Sequence, residues 1–505
     1  PFDFFDWVAR VLPGPIITFG IDAMIDTMLF LGIDVAESAK TAERAIAIIV
    51  FLGVGVVAGM LFIFIMKKID VRPSPRTGIL LGMIIGIPMI GISIAISQSP
   101  VNPFISFIWL TVLFLAWGIL FCQIGTSHLD RLPGRELKTD EDVTIERISR
   151  REFLVSAGAV SAAITLIGAG LGAVLAKSER REEESVSQDE VFETSPDHLF
   201  PNRDDPTVPA PGTRPEYTPV KDHYKVFIRS KPSEIPVEGY VLPITGLVDN
   251  PLSLTLDDIR NNYTSRDQYV TLSCISGRIA TTLISTTLWT GVSLQDILAD
   301  AVVRDRARYL LISSEDGFHE AVSINLIASD ERIMLCYAWD GSTLPIGHGF
   351  PLRIWIPDRY GMKQPKWITS IEVSDKEEPG YWVKRDWDEV AWVKTTSVID
   401  MVAVDSIIEN GDQRLIPIGG IAFSGARGIS KVEVRVDSGG WQEAQLRAPL
   451  SETTWVIWRY DWPFEAGQHT FEVRCREGDG TPQIEKYSDI RPNGATGIHR
   501  VEEDI

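Results

Sequence analysis

RIMLCYAWDGSTLPIGHGFPLRIWIPDRYGMKQPKWITSIEV, residues 332–373, holds three apolar runs rich in branched and aromatic residues, each closed by Gly, Pro or Asp-Gly. Runs this short between turn formers read as strands. Upstream, YVLPITGLV (240–248), QYVTLSCI (268–275) and RYLLISS (308–314) repeat the pattern. SLTLDDIRNN (253–262) and SLQDILADA (293–301) instead show helical spacing behind a Ser N-cap. Strands interleaved with short helices predict an α+β domain over 221–395. From about Ile399 the pattern is purely β: SKVEVRVDSGGWQEAQL (430–446) is alternation, a Ser-Gly-Gly turn and alternation again, and TTWVIWRYDW (453–462) and HTFEVRCRE (469–477) follow. This predicts an antiparallel, immunoglobulin-like sandwich over 396–505.

N-terminal to this region the composition changes. Residues 177–220 are acidic and proline-rich without apolar periodicity, which reads as an extended tether. Residues 1–176 are dominated by long uncharged runs. A bilayer core of about 30 Å needs roughly 20 apolar residues in helix. Ala45–Met66, Thr77–Ser97, Pro103–Ile124 and Phe153–Ala176 meet that length. Val11–Gly32 contains Asp22 and Asp26, so it reads either as a fifth span or as a helix at the interface, giving four to five transmembrane helices. Lys67, Lys68, Arg72 and Arg76 precede one span, and Arg131, Arg135, Lys138, Arg147, Arg150 and Arg151 precede another. By the positive-inside rule both loops are cytoplasmic, and everything after Lys177 lies on the extracytoplasmic side of the plasma (inner) membrane.

SRREFL, residues 149–154, has the order of a twin-arginine export signal and leads into a Gly/Ala/Ser-rich run. The pair could also act only as a positive-inside anchor. As a signal, it implies a downstream domain exported already folded, typically around a cofactor. The chain begins at Pro1 without methionine, which implies a short missing leader.

A net charge of −20 argues against a nucleic-acid partner. Four scattered cysteines (Cys122, Cys274, Cys336, Cys475) without a CxxC exclude a disulfide framework, a zinc ribbon and a c-type haem, and leave no legible iron–sulfur or flavin site. Of seven histidines only His128 lies near the apolar runs, so no membrane haem is expected in this chain.

The segments YVTLSCISGR, LWTGVSLQDIL, LLISSEDG and IMLCYAWDG through KWITSIEV resemble, in order, the molybdenum-cofactor domain of the sulfite oxidase family, and VEVRVDSGGWQEAQL resembles that family's C-terminal dimerisation domain. The resemblance covers about residues 221 to 500. It implies a molybdenum–molybdopterin cofactor with Cys274 as the metal ligand, a soft thiolate suited to such a metal. It implies that His348 and Arg353 of HGFPLR grip the pterin's phosphate end, where a planar guanidinium fits bidentately. Gln364, Pro365 and Lys366 would hold the same phosphate, and Tyr224, Lys225 and Ser314 would contact the pterin. Tyr337 would lie beside the metal's exchangeable oxygen, and Arg278 would face the substrate.

Two departures stand out. Gly277 occupies a position where many members carry Asn, and the Trp455–Trp458 pair encloses no arginine, Arg459 only following it. A pocket with fewer arginines holds sulfite less well, so another S- or N-oxide is an equal expectation. Two functions follow. One is an oxidoreductase that transfers an oxygen atom to or from a small substrate and passes electrons to a cytochrome c or to a haem- or quinone-carrying membrane subunit. The other is an accessory subunit of a larger membrane complex with an inactive domain. Lipid and a homodimer or larger assembly complete the expected partners.

Overall fold

The computed structural model describes residues 1–129 and 200–505, apart from scattered positions between 14 and 34 and residues 72–73, 97–102, 230 and 412. Asp22, Asp26, the 149–154 motif, the expected span Phe153–Ala176 and residues 177–199 lie outside the described residues. The chain divides into two compact units, Pro1–Val11 with Arg44–Asp189 and Leu12–Glu43 with Glu190–Ile505.

Three of the expected apolar runs are helical. Helix α1 spans Phe2–Val11, α2 Val35–Lys68, α3 Pro75–Ile96 and α4 Pro103–Leu129. Among the described residues two helices are long and apolar enough to cross a membrane, Thr41–Met66 and Pro75–Ile96. Ser74 caps α3 reciprocally with Thr77, ahead of Pro75 at the first helical position. Gly78 and Gly82 of α3 lie directly on α4: a Cβ on Gly82 would fall 2.5 Å from the Phe114 carbonyl oxygen, and one on Gly118 2.2 Å from that of Gly78. Only residues without a side chain let two backbones approach this closely. The opposite face of α3 carries exposed Leu80, Ile84 and Ile87. Asp3 of α1 accepts a hydrogen bond from Ser93 of α3 at 2.6 Å.

The second unit begins its regular structure with β1 (Val241–Gly246), β2 (Leu252–Thr255), α5 (Leu256–Asn262), β3 (Ser265–Ser273), β4 (Ile284–Ser293), α6 (Leu294–Ala301), β5 (Tyr309–Ser314), β6 (His319–Ser323), α7 (Ile324–Ser329), β7 (Met334–Trp339), β8 (Ser342–Thr343), β9 (Arg353–Trp355) and β10 (Ile368–Ser374). They form two five-stranded sheets, β2-β1-β10-β5-β6 and β3-β4-β7-β8, with β9 also on β7. The N-cap of α5 is Thr255 in a capping box with Asp258, not the expected Ser253, because Ser253 and Leu254 belong to β2.

The β-rich remainder comprises β11 (Thr396–Val402), β12 (Ile408–Asn410), β13 (Gln413–Phe423), β14 (Ile429–Val436), β15 (Gln442–Glu443), β16 (Gln445–Leu446), β17 (Val456–Pro463), β18 (Gln468–Glu477) and β19 (His499–Asp504). Sheet β11-β13-β17-β16 faces sheet β15-β14-β18-β19 across a core that includes Ile416, Ile418, Val432, Val434, Trp458 and Phe471. The turn after β14 is made by Asp437 and Ser438, both at positive φ, before the Gly pair. Its return strand splits, β15 pairing with β14 and β16 crossing to β17.

Residues 200–220, expected as part of the 177–220 tether, are fastened to the folded regions. Arg447 donates to the carbonyls of Asn202 and Thr207 and pairs with Glu216, each at 3.0 Å, while Arg214 pairs with Asp400 at 2.6 Å. Thr218 then donates to the Thr286 carbonyl on β4 at 2.7 Å. The segment is strapped to the α+β region by a partner 68 residues away and to the β-rich region by partners 186 to 245 residues away in sequence, which its composition alone does not reveal.

Candidate active site

Cys274 follows the last residue of β3, and its turn closes with the Gly277 amide on the Cys274 carbonyl at 3.1 Å. Gly277 has a local reason: a Cβ there would fall 2.6 Å from the Thr281 methyl group. The Cys274 thiol is buried, lies 3.1 Å from the Ser276 hydroxyl, and is pushed up in pKa by that burial. The strand leading to it is braced by the β-rich region, where Trp455 donates its amide to the Thr271 hydroxyl at 2.9 Å and Ser451 donates to the Tyr269 carbonyl at 2.6 Å.

Beside this turn lies a stack of aromatic and cationic groups. Trp289 of β4 and Trp339 of β7 sit 4.7 Å apart, and the Arg353 guanidinium lies 4.4 Å from the first ring and 5.3 Å from the second. The His348 and His223 rings contact Trp339 at 4.6 and 4.5 Å, and His223 stacks on Tyr224. Lys366 ties the pieces together, donating to the carbonyls of Val226 at 2.9 Å and Gly347 at 3.2 Å, and the Lys225 side chain runs alongside Gly347. Gln364 donates to the Arg359 carbonyl at 2.9 Å, and the Pro365 carbonyl accepts from Ile354. One residue earlier, Lys363 is locked to buried Glu320 at 2.6 Å, fixing the turn that delivers Gln364.

The electrostatics of this stack are unusual. Arg353 is fully buried and donates to the His348 carbonyl at 2.9 Å, yet no carboxylate pairs with it among the described residues. Burial pushes its pKa down to about 10. Burial also holds both imidazoles neutral, His223 at about 3 and His348 well below its ordinary value. Arg353 Nε, His348 Nε2, His223 Nε2, Ser314 Oγ and Gln364 Oε1 are buried without a hydrogen-bond partner among the described residues. Native interiors rarely leave polar atoms in this condition, and an unpaired buried cation is costlier still. A bound group with an anionic end and several donors and acceptors satisfies them, and a pterin with a phosphate tail has that chemistry. The donor set fits the group that the sequence resemblance implies.

Comparison with known proteins agrees with this chemistry. Residues 230–382 match the oxidoreductase molybdopterin binding domain. Mitochondrial sulfite oxidase of Macaca fascicularis is 29% identical over 271 residues, 45% of this chain and 50% of that protein. Sulfite oxidase of Gallus gallus is 25% identical over 373 residues, 60% of this chain and 81% of that one. Residues 230–382 are a molybdopterin-binding oxidoreductase domain of the sulfite oxidase type. The chain spans about half the length of the mammalian relatives it matches. Among solved structures, the sulfane dehydrogenase SoxCD from Paracoccus pantotrophus aligns with a TM-score of 0.49 and 20% identity over 57% of this chain and 83% of that one.

Of the residues expected at the site of the molybdopterin domain, the structure gathers Tyr224, Lys225, His348, Arg353, Gln364, Pro365 and Lys366, while Ser314 ends β5 with its hydroxyl buried and unpartnered. It does not bring Tyr337 to Cys274. Thr290 pairs with Ala338 and Gly291 with Cys336, so Tyr337 is the extra residue of a β-bulge. Cys336 shares a core with Cys274, Tyr224 and Trp355, whereas Tyr337 packs in the other sheet's core, with its hydroxyl 3.2 Å from that of Ser265 and its ring under Arg260. Arg459 is held by Asp461 and the Val208 carbonyl.

Sequence reasoning missed His223, although it adjoins Tyr224, and missed the tryptophan pair against which Arg353 packs. It also missed the apolar shell next to the cysteine: Ile275, Tyr360, Met362, Trp387, Trp455 and Ile490 form one cluster, with the Arg491 guanidinium 4.4 Å from the Trp387 ring. These residues come from sequence positions up to 215 apart, and their spacing carries no signal.

Proposed function

We propose that the protein is a membrane-anchored molybdopterin oxidoreductase acting on a small oxo substrate, with a sulfur oxide or an N-oxide the leading class. The observation that carries this reading is Arg353, a buried guanidinium with no carboxylate partner among the described residues, in a nest of unpartnered polar atoms beside Cys274. When bound, the molybdenum–molybdopterin would supply the two-electron oxygen-atom transfer itself. Cys274 would ligate the metal as thiolate, giving up the proton that burial makes it retain. Arg353, His348, Ser314, Gln364 and Lys366 would hold the pterin and its phosphate. The Trp289–Arg353–Trp339 stack keeps water from the guanidinium, which strengthens its hold on an anion. Arg278, and Arg491 from the β-rich region, would face the substrate. Arg491 is then the C-terminal arginine that the sequence around Trp455–Trp458 does not offer.

The exposed apolar faces of α2–α4 support a multi-pass anchor, and SRREFL at 149–154 supports export of the folded domain to the extracytoplasmic side of the inner membrane. We read the two-sheet C-terminal region as an immunoglobulin-like module of the kind that dimerises. Electrons would leave to a c-type cytochrome or to a haem- or quinone-carrying membrane subunit. Molybdenum and pterin analysis of the purified protein tests the core of the proposal: near-stoichiometric content is expected, and protein purified without either, after expression in a host that makes the cofactor, overturns it. Replacing Arg150-Arg151 by Lys-Lys keeps the charge and spoils the signal. Protease protection should then find the domain retained in the cytoplasm, and a domain still outside reduces the pair to anchors.

A further inference from the structure

Two segments of the molybdopterin domain bring polar side chains to the nest around Arg353. The β5–β6 hairpin carries Ser314, and the turn after Tyr360 carries Gln364 and Lys366. At one end the segments are joined by backbone: the Glu315 amide donates to the Trp367 carbonyl at 3.0 Å, and Ile368 lies opposite Ser314. Earlier in the turn the tie is between side chains. Lys363 donates to Glu320 of β6 at 2.6 Å, and the two side chains are 9% and 0% exposed. Glu320 stands opposite Ile312, two residues before Ser314, while the Lys363 and Gln364 amides close the turn on the carbonyls of Tyr360 and Gly361. The backbone of Gly380 seals the carboxylate, since a Cβ there would overlap both oxygens.

An ion pair buried this deeply is a poor way to gain stability. Desolvation of the two charges offsets their attraction, and apolar side chains of similar volume often serve the fold as well or better. One Glu320 oxygen accepts from Lys363 and from the Ala321 amide, while Oε2 is buried without a hydrogen-bond partner among the described residues. What the pair supplies, and an apolar pair does not, is a fixed distance and direction. We infer that Glu320 is a positioning residue for the cofactor: through Lys363 it sets the turn that presents Gln364 and Lys366 at a fixed distance from Ser314. This inference rests on the oxidoreductase reading above and adds to it a pair that acts without touching the pterin.

The test replaces the pair by Glu320→Met with Lys363→Met in the full-length protein, methionine being flexible enough to fill such a site. Two measurements separate position from stability: thermal unfolding of protein made in a host without the cofactor, and pterin retained per chain, read by its fluorescence after oxidation, in a host that makes it. Unfolding should stay at or above the wild-type temperature, while retained pterin falls about tenfold, the effect that loss of a supporting contact has on a bound metal. Lys363→Arg, which keeps the tie, should retain pterin like the wild type. Full retention in the double variant, or melting well below the wild type, overturns the assignment. So does an equal loss in Lys363→Arg, because the ammonium itself would then be what the cofactor needs. Failure of the oxidoreductase reading shows separately, as wild-type protein without molybdenum or pterin.

Discussion

The α3–α4 helix pair and the pocket around Arg353 break the usual burial pattern in opposite directions. The pair hides glycines and a few apolar side chains between its helices and turns Leu80, Ile84, Ile87, Phe104 and Trp109 outward. The pocket hides an arginine, two histidines, a serine and a glutamine, several with unpartnered atoms. A monomeric protein in water rarely presents so much contiguous apolar surface, and a finished interior rarely leaves donors unpaired. The first pattern is what the proposed membrane anchor would need, and the second what the proposed anionic ligand would satisfy.

The largest test of the pocket is Cys274→Ser. The hydroxyl nearly conserves volume but removes the soft ligand, so the folded protein should lose oxotransfer by about a hundredfold or more, with thermal stability little changed. Turnover of sulfite or a standard S-oxide at the wild-type rate would remove Cys274 from the chemistry. Next in size is Arg353→Lys. Lysine keeps the charge but not the planar fork that packs against Trp289 and Trp339. We expect retained pterin to fall roughly tenfold, measured by the fluorescence of the oxidised pterin. Full retention would mean that the guanidinium only packs.

In the helix pair, Gly82→Leu forces a side chain onto the Phe114 carbonyl and should destabilise the fold by about 1–3 kcal/mol. Gly91 lies on the same helix with nothing within 4 Å of a Cβ, so Gly91→Leu should be silent. Thermal unfolding in detergent checks both, and equal effects would show that the close helix contact is not what glycine serves.

How far the sequence disclosed these regions depended on the range of the interactions involved. Helices α2 to α4 and most strands were legible because their apolar periods are local. Cys274 and the HGFPLR residues were legible because each motif sits within a few residues. Tyr337 was misplaced because its side depends on a bulge against Gly291, and a single extra residue moves a strand side chain to the other face. Residues 200–220 read as tether because they are polar and Pro-rich, and the residues that fasten them, Arg447 and Asp400 among them, lie far along the chain. The meeting of Ile275, Trp387 and Arg491 was invisible for the same reason.

The smallest expected effect is on pH dependence, and it separates an empty pocket from a filled one. Burial lowers the pKa of His223 to about 3 and pushes His348 down likewise, so in the folded state both stay neutral well below their ordinary values. The unfolded chain binds these protons near pH 6.5. Below that pH the unfolded state therefore holds protons that the folded state refuses, and stability falls as pH drops from about 6.5 towards 3. Above pH 6.5 neither state is protonated and the contribution vanishes. Each such histidine adds about 1.4 kcal/mol per pH unit to the slope. Carboxylates add their own acid dependence, so the decisive comparison is with His223→Gln, whose slope between pH 6 and 5 should be shallower by about one proton. If the cofactor's anion binds beside His348 as proposed, loading it would raise the folded-state pKa of His348 and flatten the slope of the wild type. Denaturant titrations of the loaded and unloaded protein at pH 6 and pH 5 measure this. Identical slopes for wild type and His223→Gln would show that His223 titrates in the fold, and the buried, neutral stack described around Trp339 would then be wrong.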